Sequence, residues 1–187
     1  MIKIGIIKEG KTPTDRRAPF SPTQCANILA TYKNVELKIE SSADRCFSDD
    51  EYKAAGVPVV ASVNDCDILF GVKEVPIKNL LADKTYFFFS HTIKKQAYNR
   101  NLLQEIIQKN ITLIDYECLK KDGNRVVAFG RFAGIVGAYN ACWTYGKKHQ
   151  LFDLKRAYLC KNMKELFTEL KKVKLPNHVK LVITGGG

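Results

Sequence analysis

Three short apolar runs share one grammar, and that grammar constrains the fold more than any other feature of the sequence. Ile2 to Ile7 is followed by Lys8-Glu9-Gly10-Lys11 and then Asp15-Arg16-Arg17; Ile68 to Val72 is followed at once by Lys73-Glu74; Tyr86 to Phe89 is followed by Ser90-His91-Thr92. A short continuous apolar run suits a strand buried on both faces, because neither side of its pleat meets water. Helical patterns lie between the runs, at Ser21 to Tyr32 with a Ser-Pro start, at Ser48 to Ala55 and at Asn99 to Lys109. Further strands are expected at Val35 to Ile39, around Val57 to Val60 and at Ile111 to Ile114. Alternating strands and helices imply right-handed βαβ units, hence an α/β, Rossmann-like (flavodoxin-like) parallel sheet with helices on both faces. Ligands of such sheets bind beyond the carboxyl ends of the strands, near the point where strand order reverses. Arg17, Lys73, Glu74 and His91 all fall just past those ends.

The second half reads differently. Phe132 to Lys147 forms a helical pattern with small residues Ala133, Gly134, Gly137, Ala138 and Ala141 on neighbouring turns, which suggests close backbone packing, since glycine is costly inside a helix. A second helix is expected over Met163 to Val173. After it comes an apolar strand, Val179 to Ile183, running into Thr184 and three glycines. Such a strand-to-glycine step resembles the opening of a dinucleotide-binding turn, where glycines permit a tight bend and close approach of a pyrophosphate. Gly185 and Gly187 are therefore candidate cofactor residues, in an incomplete motif. The expected organisation is a substrate domain over 1–146 ending in a connecting helix, then the linker helix and first strand of a truncated second Rossmann domain over 147–187. A piece of a longer enzyme, without turnover by itself, is the expectation.

Composition excludes other classes. With 45% apolar and 26% charged residues, 12 Gly and 6 Pro, the chain is neither disordered nor fibrous. No apolar run approaches the roughly 18 residues of a membrane span, and no membrane association is expected. Met1 to Glu9 is too short and too charged for a signal peptide, so a cytoplasmic protein is expected. The net charge of +11 belongs to the second half: residues 1–93 hold 12 basic and 12 acidic side chains, residues 94–187 hold 18 and 7. Those lysines stand at mixed spacings without aromatic interleaving, which favours a solvated helix face over a nucleic-acid surface. Cysteines 25, 46, 66, 118, 142 and 160 contain no C-x-x-C pair. They read as free thiols, mostly small core residues, with no metal site and no local signature of a nucleophile.

The chemistry-bearing residues are few. Arg17 carries a planar, permanently charged fork suited to a substrate carboxylate, although a surface loop pairing its own charges explains Asp15-Arg16-Arg17 as well. Lys73 and Glu74 follow a buried strand directly, an awkward place for charge unless the side chains reach a cleft or pair with each other. His91 alone among three histidines stands at a strand end, and imidazole suits acid-base work near neutrality. His149 and His178 lie among lysines and are expected to face solvent.

Taken together, Ile4-Gly5-Ile6-Ile7-Lys8-Glu9, Arg17-Ala18-Pro19-Phe20-Ser21-Pro22 and Gly71-Val72-Lys73-Glu74-Val75-Pro76 resemble the N-terminal domain shared by alanine dehydrogenase, proton-translocating transhydrogenase and saccharopine dehydrogenase. Phe89 to Gln96, Leu113 to Glu117 and Asn124 to Gly134 look closest to the lysine-forming saccharopine dehydrogenases and the lysine-ketoglutarate reductase half of their bifunctional relatives. The resemblance implies an oxidoreductase that interconverts saccharopine with lysine plus 2-oxoglutarate, using NAD or NADP. It implies that Lys73 and His91 are the acid-base pair, and that Arg17, Gln96, Arg125 and Phe129 contact substrate. Asn124 departs from the family pattern, which usually has an arginine there. Alanine dehydrogenase chemistry on a smaller oxo acid is the near alternative. A noncatalytic α/β module that holds an acidic partner through its basic half is the alternative from another class.

Overall fold

The computed structural model describes residues 1–184. It falls into two compact units, Met1–Val127 and Ala128–Gly187.

The first unit contains a six-stranded sheet in the order β3-β2-β1-β4-β5-β6, all neighbours parallel. The strands are β1 (Ile2–Ile6), β2 (Val35–Glu40), β3 (Val59–Val60), β4 (Ile68–Phe70), β5 (Thr85–Phe88) and β6 (Thr112–Asp115). Helices α1 (Pro22–Thr31), α2 (Asp49–Ala54) and α3 (Arg100–Gln108) connect them. The expected α/β class and parallel sheet are borne out, and the order is that of Rossmann sheets. Chain direction across the sheet reverses between β1 and β4, so the loops leaving those two strands diverge and open a crevice.

Period-two alternation divides the strand side chains between two faces. Leu69 of β4 with Tyr86 and Phe88 of β5 joins Leu102 and Ile106 of α3 on one face. Ile6, Leu37 and Ile39 join Cys25 of α1 and Tyr52 of α2 on the other, and Phe70 stacks on Phe87 there at 4.3 Å. Both faces are therefore dry, the physical reason the runs carry no polar alternation. Gly5 allows the central packing: a Cβ at that position would stand 2.8 Å from the Val63 Cβ and 2.9 Å from Leu69 Cδ2. Helices α1 and α2 both start with a capping box, Ser21 with Gln24 and Ser48 with Glu51, so side chains satisfy the first orphan amides. A two-stranded hairpin, β7 (Lys120–Lys121) with β8 (Asn124–Arg125), follows β6.

The second unit holds helices α4 (Gly130–His149) and α5 (Met163–Leu170), with a core of Tyr139, Leu154 and Leu166. Three expectations are corrected. Residues 179–184 form no strand, and Leu181, Val182 and Ile183 are exposed; a strand exists by pairing, and the described residues of this unit offer no other strand. Close packing is not the reason for Gly134 and Gly137, since a Cβ at either would meet nothing within 4 Å; Gly146 is the tight position, against Phe152. Finally, all six cysteines are free but only Cys25 and Cys66 are buried. No helix among the described residues is long and apolar enough to cross a membrane.

Candidate functional site

The carboxyl ends of β4, β5 and β6 deliver Lys73-Glu74, Ser90-His91-Thr92 and Asp115-Tyr116-Glu117 side by side. The Phe89 amide donates to the Val72 carbonyl at 3.1 Å, extending the β4–β5 pairing into the loops and fixing Lys73 and His91 on neighbouring tracks. His91 has left-handed backbone (φ 57°), uncommon for a residue with a Cβ, and the surroundings hold it. Its carbonyl accepts from the Asn99 side chain at 3.3 Å and the Lys94 amide at 3.1 Å. Next door, the Ser90 hydroxyl donates to Asp115 Oδ2 and accepts from the Thr92 amide at 3.1 Å, while Asp115 Oδ1 accepts from the Glu117 amide at 2.8 Å.

His91 stands between two carboxylates. Its Nδ1 lies 2.9 Å from Glu117 Oε2 and its Nε2 lies 3.7 Å from Glu74 Oε1. Nδ1 also stands 3.1 Å from Lys94 Nζ, so this nitrogen is engaged by Glu117 and Lys94 while Nε2 is left on the Glu74 side. Glu117, 7% exposed, also pairs with Lys94 Nζ at 3.3 Å and Arg125 at 3.8 Å. Burial pushes the Glu117 carboxyl up, but hydrogen bonds and charge from His91 and Lys94 outweigh it and hold the group below its ordinary value. Glu74 behaves alike: burial raises it, while Lys11, bonded at 2.7 Å, and the charge of His91 bring it down.

Lys73 is half-buried, and its ammonium makes no hydrogen bond or ion pair among the described residues. Arg17 is engaged by Asp15, which accepts from its Nε at 2.9 Å and from its Nη2, the internal pairing weighed for that loop. That bond, against a counteracting desolvation, holds Asp15 below its usual value. Gln96 is exposed and accepts from the Tyr98 hydroxyl at 2.7 Å. The structure thus gathers Lys73, His91 and Arg125 around Glu74 and Glu117. Phe129 caps α4 in the second unit, and Gly185 and Gly187 lie outside the described residues. Sequence reading missed Glu117, Lys94 and Glu9 as members of the site. Glu9 and Glu117 carry the signal that singled out Lys73 and Glu74, charge placed just past buried strands, whereas Lys94 lies six residues beyond β5 and carries none.

A cavity of about 370 Å³ lies beside this cluster, lined among others by Glu9, Lys73, Glu74, Lys8 and Lys78, but by neither Arg17 nor His91. The switch point between β1 and β4 does not fit a dinucleotide. The amides of Val72 and Lys73, donors a pyrophosphate would need, are taken by the Glu9 carboxylate. Gly10 is spent on packing, since a Cβ there would meet Pro76 at 2.8 Å.

Residues 5–136 match the family described as alanine dehydrogenase/PNT, N-terminal domain. The chain belongs to this family. It is similar to the mitochondrial alpha-aminoadipic semialdehyde synthase of Mus musculus, 40% identical over 134 residues, which covers 71% of this chain and 14% of that protein. It is also similar to the saccharopine dehydrogenase [NAD(+), L-lysine-forming] of Candida glabrata, 33% identical over 147 residues, 74% of this chain and 39% of that protein. Among solved structures an L-alanine dehydrogenase shares the fold, with a TM-score of 0.59 at 23% identity over 78% of this chain and 40% of that one. The chain spans less than half the length of each of these relatives.

Proposed function

We propose that the chain is the substrate domain of an NAD(P)-dependent oxidoreductase that acts on a carbon–nitrogen bond and interconverts saccharopine with lysine plus 2-oxoglutarate. The observation that carries the reading is the juxtaposition of Lys73 and His91 on adjacent strand ends, with Glu74 3.7 Å from the His91 ring. An ammonium without an ion-pair partner and a carboxylate-flanked imidazole supply two proton-exchanging groups at neighbouring strand ends. The 40% identical relative and the fungal saccharopine dehydrogenase give the direction of the substrate proposal.

In this reading Arg17 and Arg125 bind the carboxylates of the substrate, each exchanging a carboxylate partner of the protein for one of the ligand. Gln96 and Phe129 add a neutral hydrogen bond and an apolar contact. His91, with Nδ1 held by Glu117, takes and returns a proton at Nε2, and Lys73 manages the second proton during water addition to the imine and collapse of the carbinolamine. Hydride transfer belongs to NAD or NADP, held outside the described residues. The substrate domain spans residues 1–146, and the protein works in the cytoplasm.

The test is turnover by the full-length protein with lysine and 2-oxoglutarate against pyruvate and ammonia. The first pair should be used and the second rejected; the reverse would make this an alanine dehydrogenase.

A further inference from the structure

Glu9 lies three residues past the end of β1, and its side chain crosses the switch point to the loop leaving β4. Its Oε1 accepts from the Val72 amide at 2.7 Å and its Oε2 from the Lys73 amide at 2.9 Å. One carboxylate thus closes two backbone amides that the sheet ladder leaves open, sixty-three and sixty-four residues away in sequence. Gly71 lies beside the bridge: a Cβ there would stand 2.9 Å from Ile7 Cδ1 and at contact distance, 3.5 Å, from Glu9 Oε1.

The bridge matters because of what Lys73 lacks. Its ammonium has no hydrogen-bond or ion-pair partner among the described residues, so the direction of the side chain is set by its backbone. Glu9 holds that backbone. We infer that Glu9 is a positioning residue, a carboxylate splint that fixes the Lys73 main chain across the β1–β4 crevice and so aims the Lys73 ammonium at the substrate. The inference rests on the reading of Lys73 as an acid-base group.

The splint works only with both oxygens as acceptors. Protonation would turn one into a donor facing an amide N–H, and a Gln would do the same permanently. Burial pushes the Glu9 carboxyl up; the two amide bonds act against it, Asp15 adds to the rise, and Arg17 opposes. The charged or titratable groups facing it are Asp15 and Arg17 from the loop after β1, Lys73 on the bridged segment and the Tyr116 phenol after β6. Loss of the splint is therefore expected nearer neutrality than for an ordinary carboxylate.

Two measurements test this. In a ¹⁵N–¹H titration of this chain, the Val72 and Lys73 amides should shift together, with one midpoint above the ordinary carboxylate range. In Glu9→Gln that shared transition should vanish. Separate or absent transitions would overturn the splint without need of a variant. In the full-length protein, Glu9→Gln should lower kcat about a hundredfold with little change in KM, and remove an acid-side limb from the pH profile. Wild-type kcat and pH profile in a folded Glu9→Gln, alongside a dead Lys73→Met, would overturn the inference while sparing the function. Full turnover in Lys73→Met would overturn the functional reading, and the amide titration would still decide the splint.

Discussion

At the scale of single residues the proposed function gives proton transfer to His91 and Lys73, with Glu117 against the His91 ring. Replacing Lys73 with Met or His91 with Asn in the full-length protein should lower kcat by about a hundredfold or more, with the fold kept by circular dichroism. Ser90→Ala leaves Asp115 Oδ2 without its hydroxyl donor and should cost about 1–3 kcal/mol, read from the urea midpoint. The acid stability follows from Glu117 and Glu74, both held below their ordinary values. A carboxyl depressed in the native state contributes stability above its unfolded value, and that contribution is lost as pH falls through the native one. Stability should thus decline as pH drops below the ordinary carboxylate range, less steeply in Glu117→Gln; an unchanged slope would contradict the geometry around His91. At this scale the sequence showed which groups stand at strand ends. It did not show that Glu117 would sit against His91, because that contact depends on the register of β5 with β6.

Helices and strands were legible where one physical signal sufficed. Ser21-Pro22 marks the start of α1 because the hydroxyl caps and the proline needs no amide partner. Ser21→Ala should cost about 1 kcal/mol, measured by urea unfolding. Gly5→Ala should cost more, about 1–3 kcal/mol, because the added methyl overlaps Val63 and Leu69 across the sheet. The strand expected at Val179 to Ile183 shows the limit of pattern: apolar alternation describes one edge, and a ladder needs two. Likewise the small residues of α4 gave no hint that Gly146, rather than Gly134 or Gly137, is the tight one, since closeness is a property of Phe152.

At the scale of the whole molecule, all eight strands of the described residues and three of the four apolar clusters lie within Met1–Val127. A chain ending at Val127 should therefore keep its sheet, read by circular dichroism, and lose it in one cooperative urea transition; a noncooperative transition would contradict that division. The excess charge of the second half is spread over helices and loops, with Lys155, Lys147 and Lys172 paired to Glu165, Asp153 and Glu169. The decisive measurement is nicotinamide oxidation by the full-length protein supplied with lysine and 2-oxoglutarate, in wild type and in Lys73→Met and His91→Asn. Turnover in the wild type that both substitutions abolish is the predicted result. Absence of turnover with that pair, or turnover indifferent to both substitutions, would contradict the account.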